Sequence, residues 1–210
     1  MATTAPGEKK QDSPKGKNPN RPKKGSVLTV EPIRSTRDIE SLKKLLHDNP
    51  RDYALFVIGI NTALRASDLL SIQIEQVMNL EPGDSLELRE RKTGKKRSIV
   101  INKAVFDAIQ YLLVHRRHEF GDLFASQRGG KAITKQRLNR LVKEWAGAIN
   151  LKGNYGCHTL RKTFGYIHRT KFNTDIPTLM RMYNHSTQRQ TLTYLCIQEQ
   201  DVNDAYLKEI

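Results

Sequence analysis

Residues 51–70 read RDYALFVIGINTALRASDLL, and this segment sets the architecture of the chain. Its first part, residues 51–62, is apolar on nearly every face of a helix, which is typical of a helix inside a core. A second, short helix is predicted to follow, capped by Ser67 or Asp68 and continuing through Ile72. Arg65 is therefore predicted just before a helix N-terminus, where unpaired amides and the helix dipole favour an anion.

Two interpretations of Arg65 follow, and they are compatible. A guanidinium at this position has a planar fork that binds a phosphate through two hydrogen bonds. The same side chain could instead pair with Asp68 for a structural reason. A carboxylate beside Arg65 would also hold its fork in place, so Asp68 is predicted as a supporting residue.

Further helices are predicted from apolar residues at helical spacing and from capping residues. In the first two thirds of the chain, one begins at Ser35 or Thr36 and ends at Pro50, one runs from Lys103 to about Glu119, and one begins at Thr134. In the last third, helices are predicted from Cys157, between Asp175 and His185, and from Ser186 or Thr187 through Tyr194. Residues 85–89 and 97–101 alternate with period two, which predicts a hairpin. The predicted fold class is mainly α with one small antiparallel β-hairpin.

The charge of the chain indicates a polyanionic partner. It has 210 residues, with 36 Lys and Arg against 22 Asp and Glu, and a net charge of +14. Residues 1–26 lack an apolar period and are predicted to form a flexible basic tail, either an inert extension or an arm that raises DNA affinity. The tail carries +5 and the other 184 residues +9, so the domain predicted for residues 27–210 is itself basic. Nucleic acid is the expected partner.

Membrane and secreted classes are excluded by the composition. No run approaches the ~18 apolar residues that span a bilayer, and no apolar segment follows the basic N-terminus as it would in a secretory signal. Cys157 and Cys196 are too few for a disulfide framework. A soluble, reduced protein of the cytoplasm or nucleoid is expected.

The predicted hairpin turn, Lys92-Thr93-Gly94-Lys95-Lys96, is basic. For Lys95, Lys96 and Arg97 the interpretation is a solvated turn or phosphate contact. Lys92 lies at the strand end, where it could reach over a cleft with an ammonium that donates a proton. The helix that begins at Thr134 is also basic on its outer side, which favours contact with a DNA groove; its candidate DNA-binding residues are Lys135, Arg137, Arg140 and Lys143.

The last third of the chain holds the remaining candidate catalytic residues. His158 and Arg161 are three positions apart and project from one side of a predicted helix. His185 follows a short helix, and Tyr194, nine positions later, lies in the next one. A tyrosine in this setting is a candidate nucleophile, although a lone phenol is more often part of a core.

Taken in order, these residues resemble the catalytic domain of the tyrosine recombinases, the phage integrase family. The matching motifs are Thr62-Ala63-Leu64-Arg65-Ala66-Ser67-Asp68-Leu69-Leu70, Lys92-Thr93-Gly94, His158-Thr159-Leu160-Arg161, and His185-Ser186-Thr187 followed by Tyr194. The resemblance covers about residues 35–210. Asn184 and Ala63 stand where the family usually has glycine, which leaves the backbone geometry beside the functional residues open. The N-terminal core-binding domain usual in the family is not recognised, so the chain is either a natural single-domain member or part of a longer protein.

The resemblance implies a site-specific recombinase that cleaves and rejoins DNA through a 3′-phosphotyrosyl intermediate. Arg65 and Arg161 would clamp the phosphate, His158 and His185 would add hydrogen bonds, Lys92 would protonate the leaving 5′ oxygen and Tyr194 would attack. No metal or other cofactor is expected, since no cluster of carboxylates or of His and Cys has ligand spacing. Two alternatives stay open: a DNA-binding accessory protein without strand exchange, and relaxation of the type IB topoisomerase kind. A metal-dependent nuclease is disfavoured.

The expected partner is double-stranded DNA, bound by homodimers or tetramers. The family resemblance implies that residues 200–210 pack on a neighbouring copy. The apolar stripe Val202, Ala205, Tyr206 and Ile210 is compatible with such docking and equally with a terminal helix that packs on its own domain.

Overall fold

The computed structural model describes residues 29–116, 119–126, 130–197, 203, 205–207 and 209. It confirms the predicted fold class: the chain is mainly helical with one two-stranded antiparallel sheet. The helices are α1 (Thr36–Leu46), α2 (Pro50–Asn61), α3 (Ala66–Leu69), α4 (Lys103–Val114), α5 (Lys135–Ala148), α6 (Cys157–Thr170), α7 (Ile176–Tyr183) and α8 (Gln188–Leu195), and the strands are β1 (Ser85–Arg89) and β2 (Lys96–Val100). A 3-10 turn spans Ile74–Gln76.

Helix α2 is the centre of the main core, as its apolar sequence predicts. Residues 54–58 are at most 1% exposed, and the helix packs against α1, α4 and α6. Phe56 meets Trp145 of α5 edge to face, with ring centroids 6.2 Å apart. At Gly59 the absence of a side chain lets Leu160 of α6 approach the α2 backbone. This close packing fixes α6, which carries Arg161, against the core.

The structure confirms several predicted helix starts. Ser35, Thr134, Asp175 and Thr187 each accept a hydrogen bond from a backbone N–H in the first turn of their helices. Such caps satisfy amides that have no partner within the helix.

Some predicted boundaries were wrong. Helix α1 ends at Leu46, and Pro50 begins α2 instead of ending α1, because proline fits the first turn of a helix, where no backbone donor is needed. The helix predicted to reach Glu119 ends at Val114. The cap of α3 is Arg65 itself, with Ser67 and Asp68 inside a helix that ends at Leu69.

The sheet and a small second core frame the site. Strands β1 and β2 pair in register from Ser85 with Val100 to Arg89 with Lys96, and Leu86 and Ile99 turn their side chains into the main core. A second cluster of buried apolar residues joins α6, α7 and α8; it consists of Ala63, Phe164, Leu179, Tyr183 and Leu195. Helices α7 and α8 therefore pack on α6 through this second cluster, while α6 itself also packs on α2.

Two predictions fall partly or wholly outside the described residues. The tail predicted for residues 1–26 lies outside them, as do Val202 and Ile210 of the apolar stripe. Ala205 and Tyr206 are described, and Tyr206 is 85% exposed. Among the helices that the structure describes, none has the length and hydrophobicity needed to cross a membrane.

Candidate active site

Helix α6 places Arg161 in contact with the segment after α2, with the end of α7 and with His185. Its guanidinium donates Nη1–H to the carbonyl of Ala63 and Nη2–H to the carbonyl of Tyr183, the latter at 2.8 Å. Nη2 also lies 3.1 Å from Nε2 of His185. Burial and the nearby Arg97 and Arg65 lower the pKa of Arg161 to about 10, so the group stays cationic at neutral pH. Arg161 therefore joins the segment after α2, the end of α7 and His185.

The two positions where glycine was expected adopt the left-handed conformation. Ala63 has φ 52° and Asn184 has φ 54°. Asparagine tolerates this region better than most residues, whereas alanine there is less usual. The Ala63 carbonyl points at Arg161 as a result, and Asn184 turns the chain from α7 towards His185. Both residues thus adopt a backbone conformation that glycine favours, although neither is glycine.

His185 is held on both sides. Nδ1 lies 3.0 Å from the hydroxyl of Thr191 on α8, and the ring stacks on Tyr183 with centroids 4.9 Å apart and an interplanar angle of 10°. Because a guanidinium only donates, Nε2 facing Arg161 accepts and Nδ1 carries the proton. Burial and the cations Arg161, Arg65 and Arg97 lower the pKa of His185 to about 4. The ring is therefore neutral at physiological pH, with its Nε2 edge turned to Arg161.

Tyr194 lies beside these groups on α8. Its half-buried ring is 5.2 Å from the His185 ring and 5.4 Å from that of Tyr183. The Cζ atom of Arg161 is 5.3 Å from the ring centroid, and Nζ of Lys162 is 6.0 Å from it. Lys162, which the sequence did not point out, also donates to Sγ of Cys196 at 3.2 Å. The half-buried tyrosine therefore lies in a cationic environment.

Arg65 has a partner that was missed in the sequence. Its Nη1 lies 2.6 Å from Oε2 of Glu90, against 4.0 Å from Oδ2 of Asp68. Asp68 instead accepts the backbone N–H of Arg91 at 3.0 Å. The alternation of β1 continues one residue past the strand, so Glu90 follows Leu86 and Leu88 on the inward face. That period-two pattern is the signal that could have identified it.

The interpretation of Arg97 as a solvated or phosphate-contacting residue was wrong. Its side chain is buried, and Nη2 donates to the carbonyls of Thr62, Ala63 and Met182 at 3.0, 3.2 and 2.6 Å. Its Nη1 lies 3.4 Å from Oε1 of Glu90. Arg97 fastens the hairpin to the ends of α2 and α7, which is a structural role.

His158 and Lys92 lie near the cluster without a hydrogen bond to it in the described part of the chain. His158 is half-buried at the start of α6. Burial, followed by the cations Lys135, Arg161, Lys162 and Lys92, lowers its pKa. The structure thus brings Arg65, Arg161, His185 and Tyr194 together, with His158 at the edge. Lys92 is exposed on the hairpin turn, close enough to His158 to act on it electrostatically.

The predicted DNA-binding residues are mostly at the surface. Lys95, Lys96, Lys135, Arg140 and Lys143 are exposed. Arg137 differs, because its Nη1 forms an ion pair with Glu144 at 3.2 Å. Among the described residues, no group of three His, Cys, Asp or Glu could hold a metal ion.

Such a site on this fold defines the chain as the catalytic domain of a tyrosine recombinase, a site-specific recombinase enzyme. The profile of the phage integrase family matches residues 35–201. The chain belongs to that family.

Individual relatives agree with this assignment. A probable integrase/recombinase of Bacillus subtilis, YoeC, is 42% identical over 179 residues, which cover 84% of this chain and 95% of the relative. Tyrosine recombinase XerC of Caldanaerobacter subterraneus is 33% identical over 203 residues, or 91% of this chain but 55% of that protein. The chain thus spans about half of XerC. These relatives do not favour the alternatives of an accessory protein or a topoisomerase.

Solved structures show the same fold. The crystal structure of XerA recombinase superimposes with a TM-score of 0.71 at 17% identity, covering 86% of this chain and 64% of that one. The post-cleavage complex of the XerH recombinase with its difH substrate gives a TM-score of 0.68 at 18% identity, over 85% of this chain and 53% of that one.

Proposed function

We propose that this protein cleaves and rejoins double-stranded DNA at specific sites through a covalent 3′-phosphotyrosyl intermediate at Tyr194. The observation that carries the proposal is the contact of Arg161 with His185 beside the half-buried ring of Tyr194. A cation fixed by backbone carbonyls is preorganised for the charge that develops on a phosphate under attack.

The reaction needs one proton to leave the phenol and one to reach the leaving group. The Tyr194 oxygen attacks phosphorus and forms the P–O bond, while the bond to the 5′ oxygen breaks. His158 takes the phenolic proton; its lowered pKa keeps it neutral and able to accept. Lys92 gives a proton to the 5′ oxygen. Arg65 and Arg161 stabilise the charge on the non-bridging oxygens, and His185, whose Nε2 accepts from Arg161, holds that guanidinium in place.

Rejoining follows because the phosphotyrosyl bond keeps the energy of the phosphodiester. A 5′ hydroxyl from a second DNA end attacks the phosphotyrosine, Lys92 accepts its proton and His158 returns one to Tyr194. No step requires an external energy source.

The wider context is part of the same proposal. DNA binds across the basic outer face of α5 and the hairpin turn, where Lys95, Lys96, Lys135, Arg140 and Lys143 are exposed, and Arg137 reaches it on release from Glu144. The active form is a dimer or tetramer in which residues 200–210 pack on a neighbouring copy, and residues 1–26 add a basic arm to the catalytic domain at 27–210. A protein with this activity works at the nucleoid.

A half-site DNA tests the function. The protein is incubated with labelled half-sites from its own element in EDTA, and adducts are separated on a denaturing gel. Wild type forms a covalent adduct and Tyr194→Phe forms none. Tyr111 lies on α4 and its hydroxyl donates to the carbonyl of His47, so Tyr111→Phe behaves as wild type. An adduct that persists in Tyr194→Phe, or none with wild type on a verified site, contradicts the proposal.

A further inference from the structure

Glu90 is a buried carboxylate that none of the proposed catalytic roles uses. It is 0% exposed, directly after β1 and before Lys92. Oε2 lies 2.6 Å from Nη1 of Arg65 and accepts the hydroxyl of Thr93 at 2.7 Å. Oε1 faces Nη1 of Arg97 at 3.4 Å. One carboxylate thus contacts a phosphate-clamp arginine, the lysine turn (residues 91–95) and the arginine that fastens the hairpin.

The backbone of Glu90 also closes the lysine turn. Its N–H donates to the carbonyl of Lys95 at 2.9 Å, and its carbonyl accepts the N–H of Gly94 at 2.8 Å. Gly94 has φ +69°, a conformation that glycine adopts without strain. Since both the backbone and the side chain of Glu90 bind this turn, the position of Lys92 depends on where Glu90 is held.

We propose that Glu90 is a positioning residue that sets Arg65 and the lysine turn in one arrangement, so that the phosphate clamp and the proton donor are aligned together. The inference rests on the proposed function, because it assigns Glu90 a role within that reaction. Asp68 cannot replace it: at 4.0 Å its carboxylate is too far from Arg65 for a hydrogen bond. Asp68 instead accepts the backbone N–H of Arg91, the first residue of the lysine turn.

The charge of Glu90 suits this role. Burial opposes its ionisation, but hydrogen bonds from Thr93 and Arg65, the charge of Arg65 and the nearby amide of Asn184 hold the pKa of the carboxyl below its ordinary value. An ionised acceptor forms stronger and more directional hydrogen bonds than a neutral one. Arg65 keeps Nη2 and Nε for a phosphate while Nη1 is occupied by Glu90.

A purely structural role is the alternative. Glu90 would then only balance the buried charge of Arg97, and removing it would lower stability without a selective effect on chemistry. The two roles predict different cleavage rates when the leaving group is changed, because only in the proposed role does Glu90 position the proton donor Lys92.

Two half-site substrates separate these roles. One has the natural 5′ oxygen at the scissile bond, and the other has sulfur in its place. A thiol has a pKa of about 8.5, so its anion leaves without a general acid. Single-turnover cleavage of both substrates is measured for wild type, Glu90→Gln, Thr93→Val and Lys92→Ala, together with DNA binding and thermal unfolding.

The expected pattern has two parts. Thr93→Val loses the hydrogen bond to Glu90 and a longer one from the N–H of Lys95. It is expected to cleave the oxygen substrate about tenfold more slowly, but to cleave the sulfur substrate at nearly the wild-type rate, as Lys92→Ala does. Glu90→Gln loses about 100-fold on the oxygen substrate and recovers only in part with sulfur, because Arg65 is also released. Glu87→Gln, an exposed carboxylate on the same strand, matches wild type on both.

Several results would overturn the inference. If Thr93→Val cleaves the oxygen substrate at the wild-type rate, or is slowed equally on both substrates, Glu90 does not act on Lys92 through the turn. Glu90→Gln with a wild-type rate on the sulfur substrate removes the link to Arg65. If Glu90→Gln does not fold, Thr93→Val decides alone. The proposed function fails separately, when wild type forms no adduct or Tyr194→Phe still forms one.

Discussion

At the scale of single residues, the site depends on groups that have fixed partners before DNA arrives. The two terminal nitrogens of Arg161 donate hydrogen bonds to the carbonyls of Ala63 and Tyr183 and to His185. His185 is in turn held by Thr191. Such prearranged donors need little reorganisation during the reaction, which is where much of the electrostatic contribution to catalysis comes from.

Arg161→Lys is expected to abolish most cleavage. A lysine is a point charge and cannot bond two carbonyls and a histidine with one planar fork. We expect the rate of adduct formation to fall by about 100-fold or more, with DNA affinity within a few-fold of wild type. Adduct formation under single-turnover conditions measures the first and a binding assay the second. Cleavage near the wild-type rate would mean that Arg161 has no role in the chemistry.

The stability of the protein is expected to fall as the pH drops from about 6.5 to about 4. In this range an unfolded histidine binds a proton, whereas His185, with a native pKa of about 4, does not. The contribution of His185 to the free energy of unfolding is complete above pH 6.5. It decreases by about 1–2 kcal/mol as the pH falls towards 4. His158 and His168, whose pKa values are also lowered by burial, act in the same direction.

Urea unfolding at pH 7.5 and pH 5 measures this dependence. His185→Asn should lose less stability between the two values than wild type. An identical loss in wild type and His185→Asn would show that His185 does not titrate in this way.

At the scale of secondary structure, the site depends on how α6 packs against the end of α7. Tyr183 lies between them and is fully buried; its hydroxyl donates to the carbonyl of Arg161 at 2.8 Å, and its ring supports His185. Gly165, one turn further along α6, has no side chain, and a Cβ there would overlap the Tyr183 hydroxyl. The small residue is therefore required for the contact.

Gly165→Ala is expected to displace Tyr183 and with it His185. Overpacking of this kind costs about 1–3 kcal/mol, and we expect adduct formation to fall with it. Gly147→Ala is the matched control, since it lies on α5 with no atom within 4 Å of a new Cβ, and alanine favours a helix by up to about 1 kcal/mol. Denaturant unfolding of both variants measures the difference. If Gly165→Ala left the free energy of unfolding and adduct formation unchanged, the position of Tyr183 would not depend on a glycine at residue 165.

The helices could be predicted from the sequence, but the links between them could not. Apolar spacing and the caps Ser35, Thr134 and Thr187 are local signals, so they identified α1, α5 and α8. Pro50 was assigned to the wrong helix because proline is compatible with both a helix end and a helix start. Arg97 in a basic turn looks solvated, since the carbonyl it bonds at Met182 is 85 positions away.

At the scale of the whole molecule, exposed positive charge lies on α5, next to the candidate active site. Lys135, Arg140 and Lys143 are exposed on α5, and Lys135 is near enough to His158 to lower its pKa. The basic face of α5 is therefore continuous with the candidate active site. A duplex that follows this face would reach the clamp.

The salt dependence of DNA binding measures this surface. Each phosphate contact contributes about 0.9 to the slope of log K against log salt concentration. Replacing Lys135, Arg140 and Lys143 by alanine should reduce the slope by about 2–3, whereas Lys103→Ala, exposed and paired with Asp107 on α4, should leave it unchanged. An unaltered slope in the triple variant would place the DNA elsewhere.

The central claim is that Tyr194 becomes covalently attached to a DNA 3′ phosphate. Adduct formed on a half-site is digested with nuclease and trypsin, and the peptide of residues 190–208, which contains Tyr194 and Tyr206, is fragmented in a mass spectrometer. We predict a nucleotide 3′-phosphate on Tyr194. A nucleotide on Tyr206, on another residue or joined through a 5′ phosphate would contradict the claim.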